Sequence, residues 1–83
     1  MNTENIDTRD MPDEIEFIKL PEVLRLTGVG TTKLYDMVKT GVFPAQVKLG
    51  ERSVAWIKAE VLEWNRDRVA LARKQALSHA LAS

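Results

Sequence analysis

The sequence predicts a small, mainly α domain that carries one β-hairpin, and three observations predict it. Two short amphipathic stretches each close on a glycine, Gly28 and Gly41. A polar–apolar alternation follows at Gln46-Val47-Lys48-Leu49, and a longer helical pattern starts near Lys58. With 83 residues the chain has room for one core and its tails. The domain is expected over residues 16–72, between an acidic N-terminal tail at 1–15 and a helical C-terminal extension at 73–83.

Residues 1–15 hold few large apolar groups and no period, so burial cannot offset the entropy of ordering them, and they are read as disordered. Pro21 has the fixed φ that suits the first turn of a helix, with Glu22 at the positive end of its dipole. This first helix is expected to end at Thr27, with Val23, Leu24 and Leu26 buried and Gly28 as a left-handed cap. A second helix begins after Gly30 and ends before Gly41. At 100° per residue, Leu34, Met37 and Val38 fall on one stripe, Thr32, Asp36 and Lys39 point the opposite way, and Lys33 and Tyr35 flank them.

Pro44 marks the exit into extended chain. Residues 46–49 and the strand-forming run Ser53-Val54-Ala55-Trp56-Ile57 read as a hairpin around Gly50-Glu51-Arg52. A lone hairpin is unstable in water, so Val47 and Leu49 are expected to lie against the helices. The third helix buries Val61, Leu62 and Trp64, and its stripe continues through Val69 and Ala72. Its last residues, RKQALSHALAS, fray or set Leu77 and Leu81 against a partner. Trp56 and Trp64 sit among apolar positions and are read as core.

Composition removes most catalytic and metal chemistry. The chain has no cysteine, and its one histidine, His79, stands in the C-terminal tail with no neighbouring ligand pattern. Glu60, Glu63 and Asp67 are interleaved with Lys58, Arg66 and Arg68, which reads as a solvent face laced with weak ion pairs. No serine or threonine has a base nearby. The expectation is a non-enzyme with no cofactor and no metal, without a membrane span, residing in the cytoplasm.

The zero net charge conceals a split. Residues 1–16 hold six acids and one base, whereas residues 17–83 hold eleven bases and six acids. A basic body suits a polyanionic partner, and an acidic leader shields such a surface or aids solubility.

Gly28-Val29-Gly30 is no phosphate cradle. A P-loop needs GxxxxGK[ST], a dinucleotide fingerprint needs a third glycine where Lys33 stands, and the preceding element is a helix rather than a strand. What remains is a helix, a three-residue glycine turn and a helix, the spacing of a helix-turn-helix. The outer face of the second helix offers hydrogen-bonding side chains, and Lys48 and Arg52 project from the following hairpin as a wing would. These residues alone leave two readings open, a nucleic-acid-binding domain and a protein-interaction module.

The stretch FIKLPEVLRLTGVGTTKLYDMVKTGVFPAQVKLGERSVAWIKAEVLEW, residues 17–64, resembles the AlpA family of prophage regulatory proteins, which is similar to phage excisionases and MerR-type winged helices. The pieces that carry the resemblance are LPEVLRLTGV, LYDMV closing at TG with FP after it, VKLGERSVAW and EVLEW. The resemblance implies a winged helix-turn-helix of three helices plus a two-stranded wing, binding double-stranded DNA. It implies a recognition surface of Thr31, Thr32, Lys33, Tyr35, Asp36 and Lys39, and a wing surface of Lys48, Arg52 and Ser53. It further implies a nucleoid-associated role in a bacterium, as a transcriptional regulator of an integrase gene or an excisionase-like architectural factor. A dimer or cooperative array on DNA, or an integrase, is the protein partner it suggests. The chain departs from the family pattern at Gly30, where a capping serine is common, and at Thr31 and Asp36, where arginine is frequent.

Overall fold

A computed structural model describes residues 14–82. Residues 1–13, most of the expected acidic tail, and Ser83 lie outside the described residues. The elements in chain order are β1 (Phe17–Ile18), α1 (Leu20–Thr27), α2 (Thr31–Lys39), β2 (Val47–Gly50), β3 (Ser53–Ile57) and α3 (Lys58–Ala82). The mainly α architecture with a hairpin is as the sequence predicts.

The glycines make the corners. Gly28 stands at φ 73°, and its N–H donates to the Leu24 carbonyl 2.8 Å away, which closes α1. Thr27 stiffens the same corner: its hydroxyl donates to the Val23 carbonyl at 2.8 Å and accepts the Val29 N–H at 3.3 Å. Gly30 precedes α2 in extended conformation and offers no side-chain cap. At the far end, Gly41 (φ 83°) donates to the Val38 carbonyl at 3.1 Å and Val42 to the Met37 carbonyl at 2.9 Å, the paired bonds of a Schellman turn. Both helices are thereby cut to length by backbone chemistry that only glycine accommodates without strain.

The sheet has one strand more than the two-stranded wing expected from the sequence. β1 pairs antiparallel with β3 through Phe17↔Ile57 and Ile18↔Trp56, giving the order β1-β3-β2. Its two residues are too few to show a period, and the pairing is a tertiary event. β2 pairs with β3 through Val47↔Ala55 and Lys48↔Val54, then slips so that Gly50 faces Ser53. This irregularity leaves Leu49 without a partner residue. Leu49 is 45% exposed, contrary to the expected inward packing, because the extra residue turns the strand tip out to solvent.

Val23, Leu34, Trp56 and Val61 are fully buried, joined by Ile18 and Phe43. They come from β1, α1, α2, the α2–β2 connection, β3 and α3, so every element but β2 contributes to one core. The Trp56 Nε1–H donates to the Pro44 carbonyl at 3.0 Å and the Trp64 Nε1–H to the Val42 carbonyl at 2.8 Å. A buried indole N–H without an acceptor costs about 1–3 kcal/mol, which applies to fully buried Trp56, and both bonds tie the α2–β2 connection to β3 and α3. Phe43 meets Trp64 edge to face at 5.0 Å between centroids.

α3 runs unbroken for 25 residues, through residue 72 where the sequence drew the edge of the domain. Its first turns are anchored by Val61, by Trp64 and by Asn65, whose Nδ2–H donates to the Leu26 carbonyl at 3.0 Å. Residues 66–81 are exposed on every side. Among the described residues no helix is long and apolar enough to cross a membrane.

Candidate nucleic-acid interface

The corner residues 28–30 and the Schellman turn present α2 as a nine-residue helix whose inner side holds Leu34 in the core, with Met37 and Val38 half-buried beside it. The other side is polar and solvated: Thr31, Thr32, Lys33, Tyr35, Asp36 and Lys39 are all exposed. All six residues assigned to a recognition surface thus lie on the outer side of one helix. Tyr35 stands at its border, 39% exposed, with its ring tilted 59° to that of Trp56 at 6.3 Å. The ring thus meets the core at Trp56 while the residue stays partly solvated.

Asp36 makes no ion pair with a lysine among the described residues. Among the described residues the ion pairs are Arg25–Glu22, Lys58–Glu16 and Arg66–Glu63, and none involves Lys33, Asp36, Lys39, Lys48 or Arg52. Of the ion-paired face expected on α3, Arg66–Glu63 forms, whereas Lys58 pairs off the helix with Glu16, and Glu60, Asp67 and Arg68 stay out of these pairs. The Glu22 carboxyl is held below the usual carboxylate range, first by its hydrogen bond from Arg25, but it lies on α1 and is not part of the α2 face.

On the hairpin, Lys48 and Arg52 are exposed, with Arg52 in the two-residue turn. Ser53 is half-buried, and its hydroxyl accepts a hydrogen bond of 2.7 Å from Lys19 Nζ, which also donates to the Val54 carbonyl at 3.3 Å. Both acceptors are neutral, so neither of these bonds pairs Lys19 with a carboxylate, and they hold the lysine beside the turn end of the wing. Sequence reasoning missed Lys19, because 34 residues separate it from Ser53.

It also missed Arg68. Its guanidinium stacks on the Trp64 ring at 5.7 Å, and this brings a cation from α3 to a depression of ≈ 400 Å³ shared with Lys33, Asp36 and Thr40. The sequence carried no signal for either residue, since both act through tertiary placement.

The family profile for prophage CP4-57 regulatory protein (AlpA) matches residues 16–69. Two relatives are similar over most of the chain. The uncharacterized protein ORF88 of Enterobacteria phage P4 is 39% identical over 62 residues, which cover 72% of this chain and 70% of that protein. The DNA-binding transcriptional activator AlpA of Escherichia coli (strain K12) is 33% identical over 63 residues, 69% of this chain and 90% of that protein. No solved structure matches. The matched span runs from the residue before β1 into the anchored part of α3, and therefore takes in the glycine corner, α2 and the wing. On that span the chain belongs to the AlpA family of prophage regulatory proteins.

Proposed function

We propose that the chain is a sequence-specific DNA-binding transcriptional regulator of prophage type, rather than an enzyme, acting on an integrase or excision gene in the bacterial cytoplasm in association with the nucleoid. The observation that carries this reading is the solvated polar face of α2, set behind a glycine corner and beside a hairpin bearing Lys48 and Arg52, in a chain of this family. An α-helix fits the major groove, and a polar face there reads base edges by hydrogen bonds.

In this reading Thr32, Lys33 and Tyr35 approach base edges, while Asp36 accepts from a cytosine amino group. Lys39, Lys48 and Arg52 neutralise phosphates and set the register, and Lys33 serves there too. Thr31 contributes its hydroxyl at the start of α2, where the first-turn N–H groups and the helix dipole favour a phosphate. Ser53 acts with Lys19 beside the turn of the wing.

Fluorescence anisotropy with duplexes from upstream of the chain's own gene and of a neighbouring integrase gene tests the proposal. The expected result is saturable, salt-sensitive binding that prefers one duplex, together with a change in promoter activity. Altered recombination with purified integrase and no promoter effect would assign the chain to the excisionase-like role instead. Absence of salt-sensitive binding to any duplex, with capture of an integrase, would make it a protein-interaction module.

A further inference from the structure

We propose that α3 is a dimerisation helix, and that its occupant is α3 of a second copy lying antiparallel across it on a two-fold axis. Three features of the helix lead there.

The first is its exposure. From residue 66 to 81 the helix has no exposed-to-buried alternation, and Leu77 and Leu81 are 61% and 77% exposed. A helix of that length without a packed face is marginal in water.

The second is a seam. Glu60, Glu63, Asp67 and Ala70 are followed by Lys74, Leu77 and Leu81 at alternating intervals of three and four, the spacing that keeps side chains on one face of a paired helix. Every one of them is exposed. About Ala70 the two halves of the series mirror each other to within one residue. Two copies laid antiparallel with Ala70 on the dyad therefore bring Glu63 of one copy level with Leu77 of the other, and Asp67 within one residue, about 1.5 Å along the axis, of Lys74, twice. The small alanines let the axes approach at the crossing.

The third is what lies beside the seam. A groove of ≈ 630 Å³ runs along the first turns of α3, with Pro44, Ala45, Val47 and Ile57 on one side and Glu60, Glu63 and Asp67 on the other. In the antiparallel arrangement Leu77 of the second copy falls about 10 Å from the dyad, at the level of Glu63 and over this apolar wall. The charges agree: the groove is acid-rimmed, whereas residues 68–81 hold Arg68, Arg73 and Lys74 and no acid. One contact thus covers the exposed leucines and the groove together, and the symmetry satisfies both copies. Bound to DNA, such a dimer would present its two α2 helices to a palindromic site.

The pairing does not require DNA, so the free protein tests it and failure of DNA binding leaves it standing. Sedimentation equilibrium of the full chain is expected to show a monomer–dimer equilibrium. Asp67→Lys and Lys74→Glu, each placing like charges at both crossings, are each expected to weaken it by roughly thirtyfold. An equimolar mixture of the two variants is expected to dimerise as the wild type does, because every like-charge contact becomes an opposite-charge one. Circular dichroism of each variant confirms that the domain is folded. A wild type that stays monomeric at millimolar concentration, variants that self-associate undiminished, or a mixture that remains monomeric while both variants are folded would each overturn the proposal.

Discussion

Gly28 and Gly30 are two residues apart in the same open corner, yet substitutions at them are expected to move stability in opposite directions. Gly30 lies at φ −76° and ψ 164°, a conformation any residue adopts, and a Cβ there meets nothing within 4 Å. Serine at this N-cap position supplies the side-chain acceptor that α2 lacks, worth a few tenths of a kcal/mol over glycine. It also narrows the unfolded ensemble by about 0.4–1 kcal/mol. Gly30→Ser should therefore stabilise the domain by about 0.5–1 kcal/mol, or about 2–8 °C in Tm for a chain of this size. Gly28 has as much room around it but sits at φ 73°. Gly28→Ala incurs the left-handed penalty of about 1–2 kcal/mol, only partly offset in the unfolded state, so it should destabilise by about 1 kcal/mol. Urea and thermal melts of the two variants beside the wild type measure both signs. A destabilised Gly30→Ser, or a Gly28→Ala as stable as the wild type, would show that the corner is not held by these backbone conformations.

Other expectations concern the interface and the tryptophan clamp. If Lys33, Lys39, Lys48 and Arg52 each neutralise one phosphate, the slope of log affinity against log salt should be about −3.6 per copy. Lys48→Ala and Arg52→Ala should each flatten it by about 0.9 for every duplex, and an unchanged slope would remove that residue from the interface. Thr32→Ala should leave the slope alone and shift preference between duplexes by about 1 kcal/mol, read from competition titrations. Trp64→Phe removes the Nε1–H bond to the Val42 carbonyl and weakens the Arg68 stack, and should cost about 1 kcal/mol in urea melts with the sheet intact by circular dichroism.

What was legible in the sequence is what backbone chemistry decides over a few residues. Pro21, Gly28 and Gly41 set the bounds of α1 and α2, because a fixed φ and a left-handed φ act within a single turn. With the bounds known, the 3.6-residue period assigned Leu34 inward and Thr32, Asp36 and Lys39 outward. What was not legible depends on residues far apart in the chain. β1 exists because Ile18 meets Trp56, the wing carries a third cation beside its turn because Lys19 reaches Ser53, and Arg68 borders α2 because Trp64 supplies a ring to stack on. The hairpin lies between these cases, since alternation located both strands while the slip after Lys48, which turned Leu49 outward, has no local signature.

The two tryptophans connect these levels. Apolar context marked both as core, and Trp56 is fully buried as that implies. Each also spends its one polar atom on a carbonyl of the α2–β2 connection, at Pro44 and at Val42. A connection between the two proposed binding elements would otherwise be free to vary, and the spacing between the α2 face and Lys48 would vary with it. Held at two carbonyls by indoles from β3 and α3, it transmits the rigidity of the core to the separation of helix and wing, the quantity a double-helical partner would sense.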